Sequence, residues 1–274
     1  MKKFTKIMTT MLCAVLCVFA FVGCASKAEK QMKTEAGITK TGYTECTKED
    51  FATFALSSPN VNADVLKSYR VTYDFKTGDL SVMYQNGIFA LNSDGTLNGA
   101  AAKTTVNLGI AAGSVMMYYK DGVGYLNTVV GDEEHKYKVT NPDMESSDSN
   151  FGKQDIVNVD DIWKMFNAWA DQEGTLFKKS VDGDITRFCL SLDKVDYDLV
   201  QGAKLDAYIE FDGQNFNGLE LVFAKEADLT TDAEEASEAV SLRVAISPFS
   251  GKIAYPSFKG YQEVTEDQIQ GLFD

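Results

Sequence analysis

The sequence predicts an α+β fold: one curved antiparallel β-sheet, an unclosed barrel of roughly ten strands, with a central amphipathic helix on its concave face and short terminal helices. Three observations carry this. Apolar residues recur with period two, as at Tyr69, Val71, Tyr73 and Phe75, between hairpin-grade pairs such as Asp121-Gly122, Asp182-Gly183 and Asp212-Gly213. One long helical pattern, over 158–171, stands among these strands. Strand–helix alternation of the kind that builds a doubly wound parallel sheet is missing.

The chain opens with Lys2, Lys3 and Lys6, then an apolar run over 7–22 that ends at Gly23-Cys24. A basic start, a short apolar stretch and a small residue at the cut describe a secretory signal over 1–23. The run falls short of the about 20 residues of a bilayer-spanning helix. Phe21-Val22-Gly23-Cys24 resembles a bacterial lipobox, with Phe21 where Leu is usual. That resemblance implies acylation at Cys24 and a diacyl anchor on the extracytoplasmic face of the cell membrane, two chains being what lasting attachment needs. Residues 24–45 then hold the lipidated cysteine and a polar, flexible tether, and 46–274 form a single β-rich domain.

Removing 1–23 takes away three lysines and no acids, so the net charge moves from −14 to −17. Such an acidic surface argues against nucleic acid, whose phosphates demand Lys and Arg. It also repels anionic headgroups, so the body is expected to stand off the membrane that holds its anchor. Cys13 and Cys17 leave with the signal and Cys24 is the lipid site, which leaves Cys46 and Cys189. These read as two buried small hydrophobes, and an extracellular location also permits them to pair.

Thr47 can cap a helix with Asp50 at the third helical position, and Cys46 can staple against Phe51. The helix runs to about Ser57. The same start recurs at Asn158, with Asp161 and Ile162 after it, and at Thr265, with Gln268 and Ile269 after it. Ordinary capping chemistry explains the recurrence better than duplication, because the intervening strands show no similarity. Strands follow at 69–75 and 80–84, after which Asn86-Gly87 and Asp94-Gly95 punctuate short apolar runs. Residues 115–119 and 123–130 flank Asp121-Gly122, and 135–140 adds an alternating strand. The small-residue stretch 98–113 has no clear place, although 106–110 fits a strand. Residues 141–152 read as a loop. In the following helix Ile162, Met165, Phe166, Trp169 and Ala170 share one side, and Trp163 widens the apolar arc to nearly half the circumference. That width fits a helix lying in a trough. Later strands lie at 185–192, 204–211, 219–223, 240–246 and 253–261, and 225–239 is a loop with six carboxylates.

Catalytic patterns are missing: there is no GxSxG elbow, HExxH helix or P-loop. His135, the only histidine, reads as a surface strand residue without a partnered nucleophile. Ser191 and Lys194 match SxxK, but at a strand end the two side chains diverge. Gly122-Val123-Gly124 opens a strand, so the hairpin explains it. Asp193, Asp196 and Asp198, like the acids between 226 and 238, lack calcium-loop spacing and read as solvated. The chain is therefore not read as an enzyme, and no metal or cofactor is expected. Tyr69, Tyr73, Tyr118, Tyr119, Tyr125 and Tyr137 suit either a ligand wall or ordinary strand surfaces.

Over roughly 43–273, the lipidated start, the capped helix, the meander and the 158–171 helix resemble the LolA/LprG-like envelope lipid-binding proteins and related Gram-positive lipoproteins. The resemblance is architectural. It implies a half-barrel cavity for acyl chains or other apolar groups, plugged by Ile162, Met165, Phe166 and Trp169, with 141–152 beside its mouth. The Tyr-rich strands and the 98–113 stretch depart from the pattern. The expected function is that of a membrane-anchored lipoprotein binding a lipid or other apolar ligand. The alternative is an envelope interaction or sensor protein with a filled core.

Overall fold

The computed structural model describes residues 27–32, 38–57, 67–92, 96–107, 112–130, 133–142, 166–195, 202–213, 215–226, 239–265 and 268–269. The signal segment, Cys24, Ile162 and Met165 lie outside these residues. Helix α1 spans Lys27–Met32 and helix α2 spans Lys48–Ser57. The strands are β1 Thr44–Glu45, β2 Ser68–Thr77, β3 Leu80–Leu91, β4 Leu97–Asn107, β5 Ala112–Lys120, β6 Val123–Val130 and β7 Glu133–Thr140. After the second helical pattern come β8 Leu176–Asp182, β9 Ile185–Val195, β10 Ala203–Asp212, β11 Asn215–Lys225, β12 Val240–Pro248 and β13 Gln262–Glu263.

All thirteen join one curved, unclosed sheet, in the order β1-β8-β9-β10-β11-β12-β2-β3-β4-β5-β6-β7-β13. β2–β7 step outward as an antiparallel meander. The chain then crosses to the far edge, and β8–β12 step back until β12 pairs with β2. β1 covers the β8 edge, and β13, parallel to β7, covers the other. Short covering strands blunt edges that would otherwise template aggregation.

The structure has thirteen strands where roughly ten were expected, and the reasons are local. Two of the additions are the two-residue edge strands. The unplaced small-residue stretch supplies most of β4, where Ala100, Ala101 and Ala102 are buried on both faces. Asn86-Gly87 is no turn: β3 runs straight through it, and the Phe89 ring lies over Gly87, where an added Cβ would stand 2.5 Å from Phe89 Cε2. Asp121-Gly122 does turn the chain as expected, with φ of 53° and 79°. The strand expected over 253–261 is absent, because that segment crosses the face of the sheet, where every strand already has two partners. It packs through Ile253, Tyr255 and Phe258.

The two faces differ. The inner face carries one continuous core drawn from β2–β12 together with α2 and the helical residues 166–170. Across the outer face run two straps, residues 27–32 with 38–45 and residues 249–261. Ala28, Met32 and Phe249 there bury against Ile88, Ala101, Met116 and Tyr118. Residues 27–32 and 38–45, expected in a flexible tether, are thus packed onto the sheet. Their anchors are Ala28 and Met32, each 1% exposed, and charged groups that the sheet neutralises.

Candidate functional site

α2 owes its position to its first turn. Thr47 Oγ1 accepts from Asp50 N at 3.1 Å, and Thr47 N donates to Asp50 Oδ2 at 2.9 Å, the reciprocal capping box that the sequence suggested. These bonds hold the Asp50 carboxyl below its usual range. The third start repeats the arrangement, with Thr265 N donating to Gln268 Oε1 at 2.9 Å, while the Asn158 start lies outside the described residues.

The cap aims Phe51 into the sheet. Its ring, 1% exposed, stands 5.4 Å from Phe188, 6.1 Å from Phe166 and 6.2 Å from Phe177. Phe54 packs on Phe188 and Phe211 at 5.2 and 4.8 Å. Phe166 is fully buried, with Trp169 half-buried beside it at 5.8 Å and Ala170 buried. Two of the four expected plug residues therefore sit on the inner face, over β8–β10; Ile162 and Met165 fall outside the described residues.

On the β2–β7 half the register sorts inner side chains into three rows across the strands. One row, Tyr69-Phe89-Ala100-Tyr119-Gly124-Val139, is apolar and buried. The next, Val71-Gly87-Ala102-Met117-Leu126-Tyr137, contains two small residues that deepen the surface. The third, Tyr73-Gln85-Thr104-Val115-Thr128-His135, is mostly polar, with Gln85 and Thr128 each 5% exposed. Half-buried apolar side chains gather here, at Tyr73, Phe75, Val115, Met117 and Tyr137. On β9–β12, by contrast, the inner side chains Phe188, Leu190, Leu205, Ile209, Leu219 and Leu242 are at most 4% exposed.

This arrangement bears on several expectations. His135 lies half-buried on the inner face, stacked on Tyr137 at 6.2 Å. The tyrosines do not form one wall: Tyr69, Tyr73, Tyr119 and Tyr137 belong to the inner core, whereas Tyr118 and Tyr125 face the outer strap. Ser191 donates to Asp206 Oδ1 at 2.5 Å on the outer face, and Lys194 is exposed elsewhere on β9. Cys46 and Cys189 are free thiols. Cys46 N bonds Phe177 O and Cys189 pairs with Lys178, so β8 lies between them. Two strand spacings, about 10 Å, exceed the reach of a disulfide.

Sequence reasoning missed Glu220. Alternation on β11 places it outward, yet the first strap covers it and leaves it 1% exposed. Arg243 Nε and Lys40 Nζ each approach Oε1 at 2.8 Å, and Ile38 N donates to Oε2 at 3.1 Å. Burial alone would raise its pKa; the hydrogen bonds from Arg243 and Lys40 outweigh burial and hold it below the ordinary value. No local signal marks it, since the covering segment is about 180 residues away in sequence.

An open cleft of about 510 Å³ lies at the β7–β13 edge, lined by Thr140, Asn141, Glu263, Thr265 and Gln268 among others. It adjoins the start of 141–152. Among the described residues no three His, Cys, Asp or Glu side chains gather as metal ligands, and no helix is long and apolar enough to cross a membrane.

No family model matches the chain, and no curated protein matches it.

Proposed function

We propose that this is a lipid-anchored extracytoplasmic lipoprotein, LolA/LprG-like in architecture, that binds a lipid or other apolar ligand on the inner face of the β2–β7 half. One observation carries the reading: the unequal filling of the two halves. Aromatic side chains of α2 and 166–170 close the β8–β10 half, while β2–β7 keep the small residues Gly87, Ala100, Ala102 and Gly124 beside the half-buried side chains Tyr73, Phe75, Val115, Met117 and Tyr137. Removing acyl surface from water there contributes about 25 cal/mol per Å² before ordering costs. The polar row from Gln85 to His135 marks where the head of an amphiphile would stop.

A second reading, an envelope interaction protein with a filled core, draws on the dense packing around Phe51 and Phe166. Native mass spectrometry of the protein beginning at Ala25 separates the two. Copurifying lipid is the expected result; a clean apo mass after exposure to total lipid extract leaves the filled core.

A further inference from the structure

We infer that the outer face bearing α1 and the C-terminal strap is turned toward the bilayer and rests on anionic headgroups. The inference depends on acylation at Cys24 and not on ligand binding. Only Ala25 and Ser26 separate Cys24 from Lys27, where α1 begins. Three Cα–Cα steps reach at most about 11 Å. α1 cannot follow a receding anchor, because it is fixed to the sheet. Ala28 and Met32 are buried, Glu29 Oε1 meets Lys103 Nζ at 2.6 Å, and Gln31 Oε1 accepts from Ala254 N at 2.7 Å. Gln31 O also accepts from Arg70 Nε at 2.9 Å. A lipid on Cys24 therefore brings this face to the headgroups, and the inner face with α2 points away.

Charge agrees with geometry. The chain as a whole carries −14, yet the described charges around α1 and the strap leave a cationic excess: Lys27, Lys30, Lys252 and Lys259 are exposed, while the nearby acids Asp121 and Glu134 are met by Lys120 at 3.6 Å and Lys136 at 2.5 Å. Among the described residues none of these four has an ion-pair partner, and the neighbouring acid, Glu29, is met by Lys103. Lys252 O accepts from Gln31 Nε2 at 3.1 Å, which places this lysine beside the helix. Lys259 follows Phe258, whose ring stacks on Tyr125 at 3.7 Å. A cationic face on an acidic body is a dipole that an anionic surface orients, with each lysine near the surface favouring partitioning by about fivefold. The general repulsion expected from the net charge is thus overridden locally.

The test labels the acylated full-length protein with an amine-reactive reagent on phosphatidylglycerol–phosphatidylcholine vesicles and reads each lysine by peptide mass. Lys48, exposed on α2 at the inner face, serves as internal reference. Lys27, Lys30, Lys252 and Lys259 are expected to react about fivefold or more slowly relative to Lys48 than in detergent. A flexible insert of about a dozen Gly and Ser residues after Ser26 is expected to abolish that protection on purely phosphatidylcholine vesicles. Equal relative reactivity on vesicles and in detergent overturns the orientation alone. Firm membrane attachment of the Cys24→Ser protein overturns the acylation on which it stands.

Discussion

Glu220→Gln tests whether the N-terminal strap is held by one buried charge. The carboxylate, 1% exposed, takes hydrogen bonds from Arg243, Lys40 and Ile38 N. Glutamine keeps the shape and an acceptor for Ile38 N but loses the charge. Hydrogen bonds to charged groups contribute about 1.5–3 kcal/mol. The cations left behind are 29% and 44% exposed at the side chain, so they regain water and the loss falls at the lower end. We expect about 1.5–2 kcal/mol of destabilisation in urea unfolding, with the midpoint lowered and the slope unchanged. Hydrogen exchange should rise chiefly in 27–32 and 38–45. The pH dependence has a definite sign. Because the folded pKa is depressed, the contribution is present above the ordinary value of 4.5 and disappears as pH falls through the lower folded value. The gap between wild type and Glu220→Gln should therefore close in acid. A variant within about 0.3 kcal/mol of wild type at pH 7, with unaltered exchange in the strap, would refute the reasoning.

Phe51→Ala removes a ring that touches Phe166, Phe177 and Phe188, and should cost about 3–5 kcal/mol in the same assay; a cost near 1 kcal/mol would mean the aromatic cluster collapses around the gap. Gly99→Ala places a Cβ 2.6 Å from Tyr255 Oη, which donates to Tyr119 O at 2.9 Å. It should lift the C-terminal strap at a cost of about 1–3 kcal/mol, seen as faster exchange at 253–261, and unchanged exchange there would contradict the close approach.

Residues whose environment is set by near neighbours were legible in the sequence. The Thr47–Asp50 and Thr265–Gln268 boxes form because both partners lie within one helical turn, and Asp121-Gly122 turns because both residues reach positive φ. The alternation at Tyr69, Val71, Tyr73 and Phe75 places these side chains on the inner face, because period two is a property of the strand itself. What failed depended on distant chain. Asn86-Gly87 has turn chemistry, but its neighbours β2 and β4 hold it extended and Phe89 uses the space a side chain would fill. Residues 27–32 have a tether's composition and too little apolar surface to declare a helix, yet Ala28 and Met32 find a matching hollow over Ala101. Neither the strand order, with β12 beside β2, nor the burial of Glu220 leaves any local trace.

The topology ties the two proposals together. β2–β7 and β8–β12 meet at the β12–β2 pair; residues 166–170 pack on the inner face, whereas 27–32 and 249–258 pack on the outer face. The anchor-proximal helix and the candidate binding surface thus occupy opposite sides of one sheet, on alternating residues of the same strands: Ile88 and Met116 outward, Phe89 and Met117 inward. In the proposed function, a ligand held on the inner face cannot pass through paired strands and leaves by the open concave side or around an edge. β1 covers β8 and β13 covers β7 through two residues each, and the β13 edge borders the cleft at Asn141. With the outer face against headgroups, that route leads away from the bilayer that holds the anchor. If both proposals hold, this geometry favours exchange with a second envelope component over direct uptake from the anchoring leaflet.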